Sequence, residues 1–318
     1  AIPPWKPETE LPKKALGFRV QAYGMDQHWK LFTNRQILAL TTLLEVINGT
    51  RSEILKDGGT EEYANALEFY FVLALSRLAD YNSKFSTWIQ RFEQQRNTFG
   101  RQAIPMVWDY SEINIFSPNL ISWQYVVDKI ARSLEVTLTS ISKKQEANQE
   151  NAADLNFDKN KSYLISTDPP YYDNIGYSDL SDFFYVWLRK GLHHQFPELL
   201  NTMLVPKMEE LVASDFRYGS KEAAKDHFEQ GFKMMFNNFK NGLDPKFPLT
   251  VYYAFKQDEN VGKDYDGKNK GDIGLTTGWE TLLEGLISSG FQITATWPIK
   301  ASYKWRMVAL GTNSLTSY

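Results

Sequence analysis

Ser162-Tyr-Leu-Ile-Ser-Thr-Asp-Pro-Pro-Tyr-Tyr-Asp173 carries a short apolar run straight into Asp168-Pro169-Pro170-Tyr171. Two consecutive prolines fix φ and withdraw two backbone donors, so a paired strand ends there. Proline also pushes the residue before it away from the α region. The expected product is a rigid, extended turn at the carboxyl end of a strand. It offers one carboxylate, free carbonyls and an aromatic ring. In an open α/β sheet that edge is where ligands bind.

Such a turn suits attack by an exocyclic amine on an electrophilic methyl group. An aromatic amine is a weak nucleophile because its lone pair is delocalised into the ring. The Asp168 carboxylate and a carbonyl of the Pro169-Pro170 pair can hold its two N–H bonds, turning the nitrogen toward sp³ geometry. Tyr171 can stack on the ring face, as extruded bases are held. No covalent enzyme intermediate is needed, which fits a chain without cysteine.

Asp168-Pro-Pro-Tyr171 resembles motif IV of the S-adenosylmethionine-dependent amino-methyltransferases, which modify N6 of adenine or N4 of cytosine. The longer string Thr167-Asp-Pro-Pro-Tyr-Tyr-Asp-Asn-Ile-Gly176, followed by Ser181-Asp-Phe-Phe-Tyr-Val-Trp-Leu-Arg189, is more specific. It is similar to a family of large bacterial adenine-specific DNA methylases, some of them associated with anti-phage defence. Phe99-Gly-Arg-Gln102, Pro105-Met-Val-Trp-Asp109, Thr277-Gly-Trp-Glu280 and Gly311-Thr-Asn313 resemble it too, so the likeness runs through nearly the whole chain. The resemblance implies a Rossmann-like methyltransferase sheet and S-adenosylmethionine as methyl donor. It implies DNA as substrate and, as partners, other subunits of a defence system. It gives Asp168, Pro169, Pro170 and Tyr171 the catalytic role, and sets Thr167 and Asp168 beside the cofactor. Tyr172, Asp173 and Asn174 then either contact the base or shape the loop. Asp at the motif's first position resembles adenine-specific members more than the Ser of cytosine-specific ones.

Composition bounds the alternatives. With 318 residues the chain can bury a substantial core. A net charge of −3 leaves DNA contact to local patches rather than to a general basic coat. The lack of cysteine excludes disulfides and cysteine-based metal sites, as in a reducing compartment. No run is long and apolar enough to span a membrane, and no signal-peptide pattern opens the chain. The expected location is therefore cytoplasmic, with no membrane partner.

Along the chain, Thr33-Asn-Arg-Gln36 reads as a capping box with Ile37, Leu40, Leu44 and Ile47 at helical spacing behind it. A second helix is expected after Thr60, a third through Phe85, Trp88, Ile89 and Phe92, and a fourth through Trp123, Val126, Ile130 and Leu134. Residues 1–145 thus form a mainly helical region, either a target-recognition insert or a scaffold. A polar stretch from Ser142 to Lys161 marks the boundary. Residues 160–318 then alternate strand and helix, with strands at Ser162–Asp168, Pro248–Phe255 and Phe291–Trp297. A strand begins at Ser314, and helices run near Leu180–Leu188, Lys221–Lys240 and from Thr277 to Gly290. Alternation of this kind predicts an α/β, mostly parallel sheet with helices on both faces.

The chain contains no Gly-x-Gly, so the Gly-rich turn that cradles a nucleotide cofactor is missing. Gly262-Lys-Asp-Tyr-Asp-Gly267-Lys268-Asn269 imitates a phosphate loop but reads as a solvated loop. In the resembling family the Gly-rich motif precedes the matched segment, so the sequence is expected to be a C-terminal portion of a longer protein, with a partial sheet. His193 and His194 have no further ligands at metal spacing, and no metal site is expected. Phe183, Phe184, Tyr185 and Trp187 read as core rather than as a stacking platform. Lys300, Lys304 and Arg306 follow a strand end and either meet DNA phosphates or line a solvated loop. Two other functions stay open. One is methylation of RNA or of a protein amide; the other is a DNA-binding or complex-forming module inactive alone.

Overall fold

The computed structural model describes residues 3–118, 121–138, 146–173, 175–255, 277–297, 299–300 and 316–317. The chain is a mixture of helices and small sheets, divided into two compact units. One unit holds Ala1–Asn148 and Gly176–Met208, the other Gln149–Ile175 and Glu209–Tyr318.

The first unit is built on helices. Helix α1 (Asn34–Lys56) opens with the expected capping box. The Gln36 N–H donates to the Thr33 hydroxyl at 3.2 Å, and the Thr33 N–H donates to the Gln36 side chain at 2.8 Å. Ile37, Leu40, Leu44 and Ile47 recur every three or four residues and are buried. Helix α2 (Glu61–Tyr81) is capped by Thr60, whose hydroxyl accepts from the Tyr63 N–H at 3.2 Å. It packs against α1.

The third expected helix is instead an antiparallel hairpin of β1 (Thr87–Ile89) and β2 (Gln94–Arg96). Its apolar residues only imitate a helical face: Trp88 is 49% and Phe92 62% exposed, so no core draws that stripe inward. The buried anchor is Gln95, which donates to the carbonyls of Tyr81 at 3.2 Å and Ser111 at 2.8 Å. Helix α3 (Trp123–Leu138) follows and packs on α2.

Helix α4 (Tyr177–Leu192) also belongs to this unit, which corrects the expectation that 160–318 form one region. The reason is packing. Phe183 and Trp187 are buried and meet Phe32 at ring separations of 5.4 Å and 5.6 Å. Their core position is the one expected from their spacing.

The second unit carries the remaining strands. Strand β3 (Ser166–Thr167) is followed by the short helix α5 (Asp215–Tyr218), α6 (Lys221–Gly242), β4 (Thr250–Val251) and β5 (Ala254–Phe255). Helix α7 (Thr277–Ser288), β6 (Ile299–Lys300) and β7 (Thr316–Ser317) complete it. Strands β3 and β4 are parallel, as a strand–helix–strand crossover requires. Strand β7 lies between β5 and β6, antiparallel to both. Phe228, Phe232, Phe236 and Phe239 form one buried stripe along α6, in a core shared with Ile165, Tyr253 and α7 residues Leu282 and Leu286.

Two expected strands are shifted or divided. Pro248–Phe255 forms two short pieces, and pairing after α7 begins at Ile299 rather than Phe291. The helix closes in a Schellman motif, with the Phe291 N–H on the Leu286 carbonyl at 3.1 Å and the Gly290 N–H on that of Ile287 at 2.9 Å. Gly290 takes φ +80°, a conformation that suits glycine. Residues 292–297 then run exposed, without a core face to pair over. Among the described residues no helix is long and apolar enough to cross a membrane.

Candidate active site

The parallel pair ends where the prolines predict. The Thr250 N–H bonds the Ile165 carbonyl at 3.1 Å and the Tyr252 N–H bonds that of Thr167 at 2.8 Å. Beyond Thr167 the chain leaves the ladder. Asp168 is exposed, Pro169 is buried and Pro170 is half-buried. The two prolines therefore wedge the turn into the protein while the carboxylate faces solvent.

Tyr171 closes back over that carboxylate. Its hydroxyl donates to Asp168 Oδ1 at 2.9 Å, and its ring stands edge-on to Tyr253 at 5.6 Å and 88°. The side chain is thus held at its tip and along its ring. An ionised carboxylate offers roughly four acceptor positions, so this bond leaves capacity for a further N–H.

Tyr172 takes φ +30°, a positive value that costs a non-glycine residue on the order of 1–3 kcal/mol. Its carbonyl accepts the Ala213 N–H at 2.9 Å, and its ring packs edge-on to Phe228 at 5.0 Å. That is the geometry of a residue that shapes the loop. Burial, with Asp173 and Glu229 adding, raises its phenol. The Asp173 carboxyl is also raised, first because neighbouring protein displaces water, against its own backbone N–H, with Asp215 raising it further and Lys221 opposing.

Asn174 lies outside the described residues, as do Lys304, Arg306 and residues 262–269. Lys300 is a residue of β6, antiparallel to β7, and only its backbone is described. Among the described residues no three His, Asp or Glu side chains are grouped to hold a metal ion. His194 instead bonds the buried Glu68 at 2.9 Å.

The site also contains residues that the motif alone did not single out. Tyr253 is 2% exposed; its hydroxyl donates to the Gly278 carbonyl at 3.4 Å and its ring lies 6.3 Å from Trp279. Burial pushes its phenol well up, so it remains a neutral donor. At Gly278 an added Cβ would come within 3.1 Å of Tyr172 Cβ and 3.3 Å of Tyr253 Oη. The first turn of α7 therefore sits directly on the Pro-Pro loop. Strand alternation held the signal for Tyr253: its neighbour Tyr252 is exposed on the opposite side.

The arrangement can hold an amine beside a carboxylate and an aromatic ring. The chain has no Gly-x-Gly turn of the kind that cradles a nucleotide cofactor. Comparison of the chain with protein-family models, curated proteins and solved structures returned no match.

Proposed function

We propose that this chain carries the amine-binding and catalytic loop of an S-adenosylmethionine-dependent methyltransferase that acts on the N6 amine of adenine in DNA. The observation that carries this reading is the exposed Asp168 carboxylate at the end of a parallel strand, bonded by the Tyr171 hydroxyl whose ring rests on Tyr253. In this reading Asp168 accepts one N–H of the amine and the Pro169 carbonyl the other, while Tyr171 stacks on the base. The base must leave the duplex to reach them. S-adenosylmethionine would supply the electrophilic methyl group. The residue roles assigned here lie on the amine side of the reaction.

The finer fold belongs to the same proposal. A parallel β3–β4 pair joined through α6, with β7 reversed between β5 and β6, suits one side of a mostly parallel Rossmann-like sheet that carries a single reversed strand. The resemblance in sequence supports the same class.

The test is methyl transfer from labelled S-adenosylmethionine to DNA, RNA and protein acceptors side by side, with wild type and Asp168→Ala. Transfer to adenine of DNA that the substitution abolishes, with an unchanged circular dichroism spectrum, is expected. Asp168→Ala activity equal to wild type would refute the assignment. Preferred transfer to RNA or protein would redirect it.

A further inference from the structure

We propose that a cleft in the helical unit binds a nucleobase presented by a single-stranded nucleic acid. The cleft encloses about 750 Å³ between the β1–β2 hairpin, the 111–118 loop and the start of α3. That lies within the roughly 300–1,000 Å³ of small-ligand pockets. The proposal stands on residues of this unit alone and does not rest on the Asp168 reading.

The lining is chemically selective. Gln94, Asn97, Asn114 and Gln124 supply side-chain amides, and Trp88 and Tyr125 supply rings. Asn97 donates to Asp80 at 3.0 Å, Gln124 donates to the lining carboxylate Asp128 at 2.8 Å and Asn114 accepts the Phe116 N–H at 3.0 Å, so Gln94 is the amide that offers both ends to a base. A primary amide pairs a donor with an acceptor, which is the pattern on the edge of a base. Trp88 is 49% and Tyr125 41% exposed, so both rings are open to stacking. The Glu112 carboxylate in the wall is already bound by the Thr33 hydroxyl at 2.7 Å and Arg35 at 3.0 Å. Its charge is answered from within the protein.

Cations stand in and beside the lining. Arg96 lines the cleft, and the Lys129 ammonium lies 5.4 Å from the ring of the lining residue Tyr125. Arg96 is half-buried and Lys129 exposed. Amides and rings in the cleft, with Arg96 in its wall and Lys129 beside it, match a stacked base flanked by phosphates. In a duplex the bases are stacked and paired, which leaves a single strand as the ligand that fills the cleft.

The experiment measures anisotropy of a labelled single-stranded DNA, the matching duplex and an abasic strand of equal length, with the whole chain. The single strand is expected to bind more tightly than either other ligand. Tyr125→Ala and Trp88→Ala should each weaken it by about tenfold, the scale of one stacked base. Lys129→Ala should lower the salt slope by about one. Equal binding of the abasic strand, or single-strand affinity unchanged in Tyr125→Ala, would overturn the proposal, as would no binding by wild type. If Trp88→Ala fails to fold, Tyr125→Ala decides, its ring being exposed. Failure of methyl transfer with strand binding intact would reject the function proposed above and leave the cleft standing.

Discussion

Tyr253 is the most informative residue to perturb, because one buried side chain supports both Tyr171 and the first turn of α7. Tyr253→Ala removes a ring that is 2% exposed and lies 5.6 Å from Tyr171 and 6.3 Å from Trp279. Aromatic-to-alanine changes in a core cost about 3–5 kcal/mol, because the lost transfer energy is joined by the cavity left behind. With a urea slope of about 2–3 kcal/mol per molar, the unfolding midpoint should fall by roughly 1–2 M. Tyr253→Phe keeps the ring and loses the long 3.4 Å hydroxyl bond to Gly278 and the backbone hydrogen bond from Tyr172, so it should cost about 1–2 kcal/mol, still less than the Ala variant. Urea titration followed by circular dichroism separates the two. In a methyl-transfer assay the Phe variant should retain activity, since the support under Tyr171 is intact, while the Ala variant should lose most of it. A Phe variant as unstable as the Ala variant would refute the reasoning, because the bond and not the packing would then be dominant. An unchanged midpoint in Tyr253→Ala would refute it outright.

Two further outcomes follow from other sites. Burial lowers the His28 imidazole from 6.5 to about 4, against the pull of its bond to Thr9 and with Lys207 adding to the fall. The folded state resists protonation more than the unfolded state does, so stability should drop as pH falls from 6.5 to about 4, by on the order of 3 kcal/mol. Urea midpoints across that range should show this decline in wild type and a flatter one in His28→Leu; equal slopes would refute it. Gly278→Ala would gain up to about 1 kcal/mol from helix propensity, yet its Cβ meets Tyr172 and Tyr253 at 3.1 Å and 3.3 Å. Overpacking of about 1–3 kcal/mol should win, giving a net loss of stability in the same titration. A more stable variant would show that the loop yields.

What was legible in the sequence was mostly local. The Thr33–Gln36 box and the Thr60 cap act within one turn, so their residues alone fix where α1 and α2 begin. The double proline likewise ends the β3 pairing through its own covalent geometry. The hairpin is hidden in the sequence because Phe85, Trp88, Ile89 and Phe92 match a helical stripe, while its anchor is the polar Gln95, bonded to distant carbonyls. The assignment of α4 to the first unit depends on Phe32, some 150 positions earlier than its ring partners Phe183 and Trp187. At the site, the motif exposed Asp168 and Tyr171 directly. The support from Tyr253 and Gly278 arises only when separate segments meet, and no spacing rule within either segment encodes that meeting.

The run from Thr250 to Phe255 has one more implication, for tolerance to length changes. Its first piece pairs with β3 and its second with β7, and the exposed Tyr252 and buried Tyr253 lie between them. Side chains alternate along such a run, so adding or deleting one residue upstream of Tyr252 would exchange the two tyrosines between water and core. The same shift would move both ladders at once. Evolutionary insertions should therefore be excluded from 248–253, whatever the loops on either side allow.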